Sequence, residues 1–297
     1  MKFRAHETFA IRKGWLHKGL RNVEQTPDVF VSKENNPMDI LGIGANMVKS
    51  MRYWLQATGL TEEPNSGKRV QAFTPIGEII YKNDPYFEET GSLWLVHHGL
   101  ATNINNATAW YLFFNEFQMQ EFSEDDYYKF LRKYITMQED EPMPSARAVS
   151  EDFKCIINTY CDNKQYKKTE VDPENNMECP LTELGLISYV TTTQGGRIFR
   201  KSAPKIDNLP ELIVMYAILK QVGTDKEVKI SQLQNSIYSV GKVFLLDTLS
   251  LLQILYRLEA RGYVKVVRTA GLDVIQILTD IAPEECVTLY YEELNEN

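Results

Sequence analysis

Hydrophobic positions recur at helical spacing along most of the chain, interrupted by a few short alternating stretches. Over residues 13–25, Trp15, Leu16, Leu20 and Val23 mark one side of a helix, followed by the polar loop TPDVFVSKENN. Asn36 then stands as an N-cap before Pro37, and MDILGI supplies a helix of only about two turns. Gly42 and Gly44 are both expected to take positive φ at the corner that follows. A longer helix starts at Ala45 or Asn46 and ends near Gly59. LTEE and RVQAFT flank the turn-rich PNSGK and predict two short strands, and TPIGEIIY opens another helix at Thr74 and Pro75. Helix, short helix, glycine corner, longer helix and a strand-paired flap are the parts of a winged helix.

The central pattern is helical and aromatic. GSLWLVHHGLAT and ATAWYLFFNEFQ are helices separated by NINN, and Trp110, Phe113, Phe114 and Phe117 fall on one face as core. SEDDYYKFLRKYITMQ begins with a capping box from Ser123 to Asp126, EDEPMPSA is a linker, and 146–161 is a further helix. After the polar connection DNKQYKKTEVDPENNMECP, the segments LISYVT and RIFRKS, joined by TTQGG, read as a hairpin.

The opening order then returns. PELIVMYAILKQVG is a helix, KISQLQNS a short one and VFLLDTLSLLQILYRLEARG a long one, while GYVKVVR and LDVIQIL form a second flap around TAG. The expected fold is mainly α with small β-hairpins (α+β): two winged-helix units, at 1–90 and 206–297, flank a helical central region at 91–205 with a β-hairpin near its end. A length of 297 residues suits two or three packed units.

The two long flap-side helices differ. Along 244–261, Ser250, Gln253, Arg257 and Arg261 hold a narrow polar strip, so that helix is expected to be mostly buried. Along 45–57, Met47, Val48, Met51, Trp54 and Leu55 span one side, and Asn46, Lys49, Arg52, Tyr53 and Gln56 span the other. Net charge is −8, but residues 1–82 carry 12 Lys+Arg against 8 Asp+Glu, or +4, which leaves −12 for the remainder. The only candidate electrostatic footprint for a nucleic acid therefore lies at the front of the chain. In helix-turn-helix docking the second helix enters the major groove. Asn46, Lys49, Arg52, Tyr53 and Gln56, with Lys68 and Arg69 on the flap, are the expected DNA contacts: cations for phosphates, amides and guanidinium for base edges.

Other chemistries find little support. LGIGANMVKSMRYWL has neither the preceding strand nor the third glycine of a dinucleotide fingerprint, and no GK[ST]. HETFA lacks the second histidine of a zinc-protease motif, and His6 with Glu7 has no nucleophile to activate. His97 and His98 are adjacent on a helix and point about 100° apart, at least one of them beside Trp94. Cys155, Cys161, Cys179 and Cys286 form no CxxC pair and read as reduced thiols. The acidic tail EELNEN reads as solvating. No catalytic residue, metal or cofactor is expected. The start offers no signal-peptide run and no segment suits a bilayer span, so a cytoplasmic location is expected.

The blocks AHETFAIRKGWLHKGL, LGIGANMVKSMRYW, SLWLVHHGLATNINNATAWYLFFNEF and CPLTELGLI resemble the family catalogued as domain of unknown function 4007. That resemblance implies a companion of sulfur-transfer enzymes similar to phosphoadenosine phosphosulfate reductases and cysteine desulfurases, in systems of DNA phosphorothioate modification and phage defence; it carries no assigned catalytic residues. The functional expectation is a non-enzymatic subunit that binds double-stranded DNA through the winged helix at 37–74. The alternative is an assembly adaptor for a sulfur-transfer partner, without DNA contact.

Overall fold

The structure, a computed structural model, describes residues 1–64, 69–138, 141–161, 179–193, 195–269 and 272–296. The expected flap loop at 65–68, with Lys68, and most of the polar connection at 162–178 lie outside these. The chain is α+β, mainly helical, with small antiparallel sheets. Helices α1 (Trp15–Gln25), α2 (Pro37–Leu41) and α3 (Ala45–Ala57) lead to the two-residue strands β1 (Thr61–Glu62) and β2 (Ala72–Phe73), then α4 (Pro75–Asn83). Asn36 and Thr74 cap α2 and α4 through their side chains, each before a proline at the first helical position. At the corner only Gly42 is left-handed (φ 60°); Gly44 is extended at φ −67°, ψ 160° and serves as the N-cap of α3, which corrects the expectation of two positive angles.

Helices α5 (Thr90–Thr102) and α6 (Thr108–Asn115) form the apolar centre, and Trp110, Phe113, Phe114 and Phe117 are all buried as expected, although α6 stops before Phe117. Strand β3 (Glu121–Phe122), not anticipated, precedes α7 (Glu124–Thr136), whose Ser123–Asp126 capping box is present, and α8 (Ala146–Tyr160). The hairpin β4 (Ile187–Thr191) and β5 (Arg197–Lys201) takes β3 as a third strand in the order β3-β5-β4. Lys201, buried at the end of β5, donates its ammonium to the carbonyls of Phe113 (2.6 Å) and Phe117, and Lys242 donates to that of Asn115 (2.7 Å). The two lysines satisfy carbonyls of the last turn of α6 and, at Phe117, of the segment just after it.

The last part comprises α9 (Glu211–Val222), β6 (Glu227–Lys229), α10 (Ile230–Asn235), α11 (Val240–Val243), α12 (Thr248–Ala260), β7 (Val264–Thr269), β8 (Leu272–Ile277) and α13 (Pro283–Glu296), with strand order β6-β8-β7. Two expectations are corrected here. The helix read as continuous from Phe244 begins at Thr248, because Leu245 is left-handed and Asp247 caps Ser250 N at 2.7 Å. Its outward side is not polar alone: Leu249 is 75% exposed, with Tyr256 exposed on the same flank. Glu292, Leu294, Asn295 and Glu296 of the acidic tail are exposed, as expected, on the last turns of α13, while the earlier part of that helix is packed. Cys286, Val287, Tyr290 and Tyr291 are buried, the Tyr290 hydroxyl accepts from Gly91 N (3.1 Å), and that of Tyr291 bonds Ser92 Oγ (2.6 Å). Among the described residues no single helix is long and apolar enough to cross a membrane.

Candidate nucleic-acid interface

The position of α3 is set by two helices and by the start of the chain. Gly19 lets α1 come close, since a Cβ there would lie 2.9 Å from Leu55 Cδ1, and the Lys18 ammonium donates to Leu41 O (2.7 Å) at the end of α2. Val48, Met51, Trp54 and Leu55 are buried, which is the apolar side read from the sequence. The opening residues then cross the second half of the helix: Ser50 Oγ donates to His6 O (2.9 Å) and Trp54 Nε1 to Phe9 O (3.0 Å).

That crossing divides the expected contact set. Tyr53 is only 7% exposed, packed against Trp54 with ring centroids 4.9 Å apart and beneath the Lys2 ammonium at 5.8 Å. Burial, with Asp152 adding to it, raises its phenol well above the ordinary value. Its placement on the solvated face is corrected: a helical projection has no knowledge of the segment folded over it. Arg52 and Gln56 are half-buried, and Glu63, just past β1, takes both. Arg52 Nε donates to Glu63 Oε1 at 2.7 Å, Gln56 Nε2 at 2.6 Å, and Gln71 Nε2 at 2.7 Å. The guanidinium charge is thereby offset within the molecule. Asn46 and Lys49 remain exposed in the first turns of α3, and Arg69 is exposed at the flap with a left-handed φ of 52°. The sequence offered no signal for Glu63, because its role depends on the flap folding back against α3.

The other motifs resolve into structure. His6 pairs with Asp152 and not with the neighbouring Glu7. Thr8 N donates to His6 Nδ1 (3.1 Å), so the ring proton sits on Nε2, which donates to Asp152 Oδ1 at 2.7 Å. Arg4 N donates to both carboxylate oxygens (2.9 and 3.1 Å), and burial raises the Asp152 carboxyl against the opposing pull of His6. His97 lies beside Trp94, ring centroids 5.7 Å apart, its Nε2 donating to Val243 O (2.7 Å), which leaves Nδ1 to accept from the Tyr160 hydroxyl (2.8 Å). His98 is also buried, edge-on to Tyr216. The four cysteines are buried. Among the described residues no three His, Cys, Asp or Glu side chains gather as a metal site.

Two crystal structures of a protein called SspB are similar to this chain. The magnesium ion-bound one is 26% identical with a TM-score of 0.84, and the other is 25% identical with a TM-score of 0.83; each similarity covers 100% of this chain and 88% of the other. No curated protein matches. The model of the protein family of unknown function DUF4007 matches residues 3–291, and the chain belongs to that family.

Proposed function

We propose that this chain is a cytoplasmic, non-enzymatic DNA-binding accessory subunit of a DNA sulfur-modification (phosphorothioation-like) or phage-defence system, built from two winged-helix units. The observation that carries the reading is the pair Asn46 and Lys49, exposed in the opening turns of a helix that follows a tight corner, within the net-positive first 82 residues of an acidic chain. The pairing of β1 with β2 after α3 supports the reading of a wing, and the order β6-β8-β7, with α10, α11 and α12 between β6 and β7, suits a second such unit. Duplex DNA meets Asn46, Lys49 and Arg69, with Lys68 next to Arg69 in the sequence, while Arg52 and Gln56 hold the flap to the helix through Glu63.

So few uncompensated cations neutralise only about two or three phosphates, which sets a log–log salt slope of roughly −2 to −3 and binding that is strong only at low ionic strength. Lys49→Glu lowers affinity roughly tenfold or more by anisotropy in dilute salt, at an unchanged melting temperature. Glu63→Gln releases Arg52 and raises affinity several-fold, steepening the slope by about one. A Lys49→Glu protein that binds duplex as the parent does removes this face from consideration.

The exposed Leu249 and Tyr256 on α12 favour a second reading, an assembly adaptor for a sulfur-transfer enzyme, with the −12 charge after residue 82 facing a basic partner. Leu249→Asp then abolishes co-purification with that enzyme while leaving stability unchanged. Undiminished association ends the adaptor reading at α12.

A further inference from the structure

A cleft of about 220 Å³ opens between the first turn of α1, the segment joining α4 to α5, and the 3-10 turn at Pro180–Leu184. It shares no residue with the α3 face. Its shape is fixed by Asp84, whose carboxylate accepts from Glu88 N and Glu89 N (2.9 Å each) and from Ser92 Oγ (2.5 Å), cinching residues 85–88 into a tight loop. Within that loop Phe87 is buried with φ 57°, and Tyr86 is turned outward, 63% exposed. The Tyr86 ring stacks on His17, centroids 4.3 Å apart and planes 30° from parallel. His17 Nδ1 lies 2.9 Å from Pro85 O and donates to it.

Arg12 and Lys13 line the same cleft. The Arg12 guanidinium lies over Phe9 and Trp15, 5.3 Å from each ring, and among the described residues neither cation has a carboxylate at ion-pair distance. A guanidinium oriented by aromatic contacts with its fork unspent is ready to donate to a phosphate. The exposed Tyr86 face is a stacking platform for a flat heterocycle. Glu88 and Glu183, also on the wall, are acceptors for hydroxyl or amino donors. An anion, a planar ring and hydrogen-bond donors are thus demanded together, in a space below the roughly 300–1,000 Å³ of ordinary small-molecule pockets.

We propose that this cleft binds one nucleoside monophosphate unit, its phosphate on Arg12 and Lys13 and its base on Tyr86. The unit is either a free 5′-mononucleotide or the 5′-phosphorylated end of a DNA strand. Titration calorimetry of the full chain against the four 5′-mononucleotides, adenosine, inorganic phosphate and a short oligonucleotide with or without its 5′-phosphate tests this. At least one mononucleotide or the 5′-phosphorylated strand binds, whichever is tighter identifying the source. Adenosine, phosphate alone and the 5′-hydroxyl strand each bind at least tenfold more weakly. Lys13→Ala and Tyr86→Ala, at exposed positions that leave folding intact, each weaken binding at least fivefold, and Arg12→Gln does so more strongly. Absence of binding by every 5′-phosphorylated ligand at millimolar concentration overturns the proposal, as does binding indifferent to Lys13→Ala and Tyr86→Ala. Lys49→Glu has no effect on it, which separates failure here from failure of the α3 interface.

Discussion

Asp152→Ala lowers the stability of the protein by about 3–5 kcal/mol, the summed cost of leaving two hydrogen-bond donors without their acceptor. Asp152 is 1% exposed and accepts hydrogen bonds from the His6 ring and the Arg4 amide, so its removal leaves two donors unpaired, the His6 one fully buried. His6 itself is fully buried, stacked on Trp54 at 6.2 Å and edge-on to Trp110 at 5.9 Å, and no rotation frees it. Asp152→Asn keeps the shape and one acceptor and costs less, about 1–3 kcal/mol. In a thermal melt the alanine variant unfolds roughly 6–10 °C below the parent, at about 2 °C per kcal/mol for a chain of this size, with the asparagine variant between them. An alanine variant that melts with the parent would show that the opening residues are not anchored by this carboxylate.

The second large effect is on acid sensitivity. Burial lowers His97 to about 4, and burial, reinforced by the charge of its neighbour, lowers His98 to about 3. Both lie below the unfolded value of about 6.5, so between these limits the unfolded chain binds more protons than the folded one, and stability falls as pH falls. The stabilisation is complete above pH 6.5 and declines by about 1.4 kcal/mol per pH unit for each ring. Denaturant melts between pH 6.5 and 4 therefore show a loss of roughly 5–7 kcal/mol from the two together. His98→Gln removes about half of that slope while leaving the His97 bonds to Tyr160 and Val243 in place. An unaltered slope in this variant would assign the acid sensitivity to other groups.

Local features of the chain were legible and long-range ones were not. The Asn36, Thr74 and Ser123 caps, the Gly42 corner and the burial of Trp110, Phe113, Phe114 and Phe117 follow from residue type and spacing, and all are present. Tyr53, by contrast, falls on the polar side of α3 in projection and is buried because residues 1–9 cross it, a contact no periodicity encodes. Strands β3 and β6 are too short, two and three residues, to show alternation against their surroundings. Helix α13 was readable in principle: Pro283 at its start and apolar residues at 286, 287, 290 and 291 give helical spacing, which the acidic residues of EELNEN obscured. At the α3 face the outward pair Asn46 and Lys49 could be read directly, whereas the neutralisation of Arg52 depends on Glu63 arriving from the flap.

The Tyr290 and Tyr291 hydroxyls meet Gly91 and Ser92 across 199 residues of sequence. Closing so large a ring delivers its contacts only after most of the chain has collapsed, which makes the topology a slow one to reach. In pulse-labelled refolding the amides of the first turn of α5 acquire protection late, and the rate of that final phase is governed by the docking of α13.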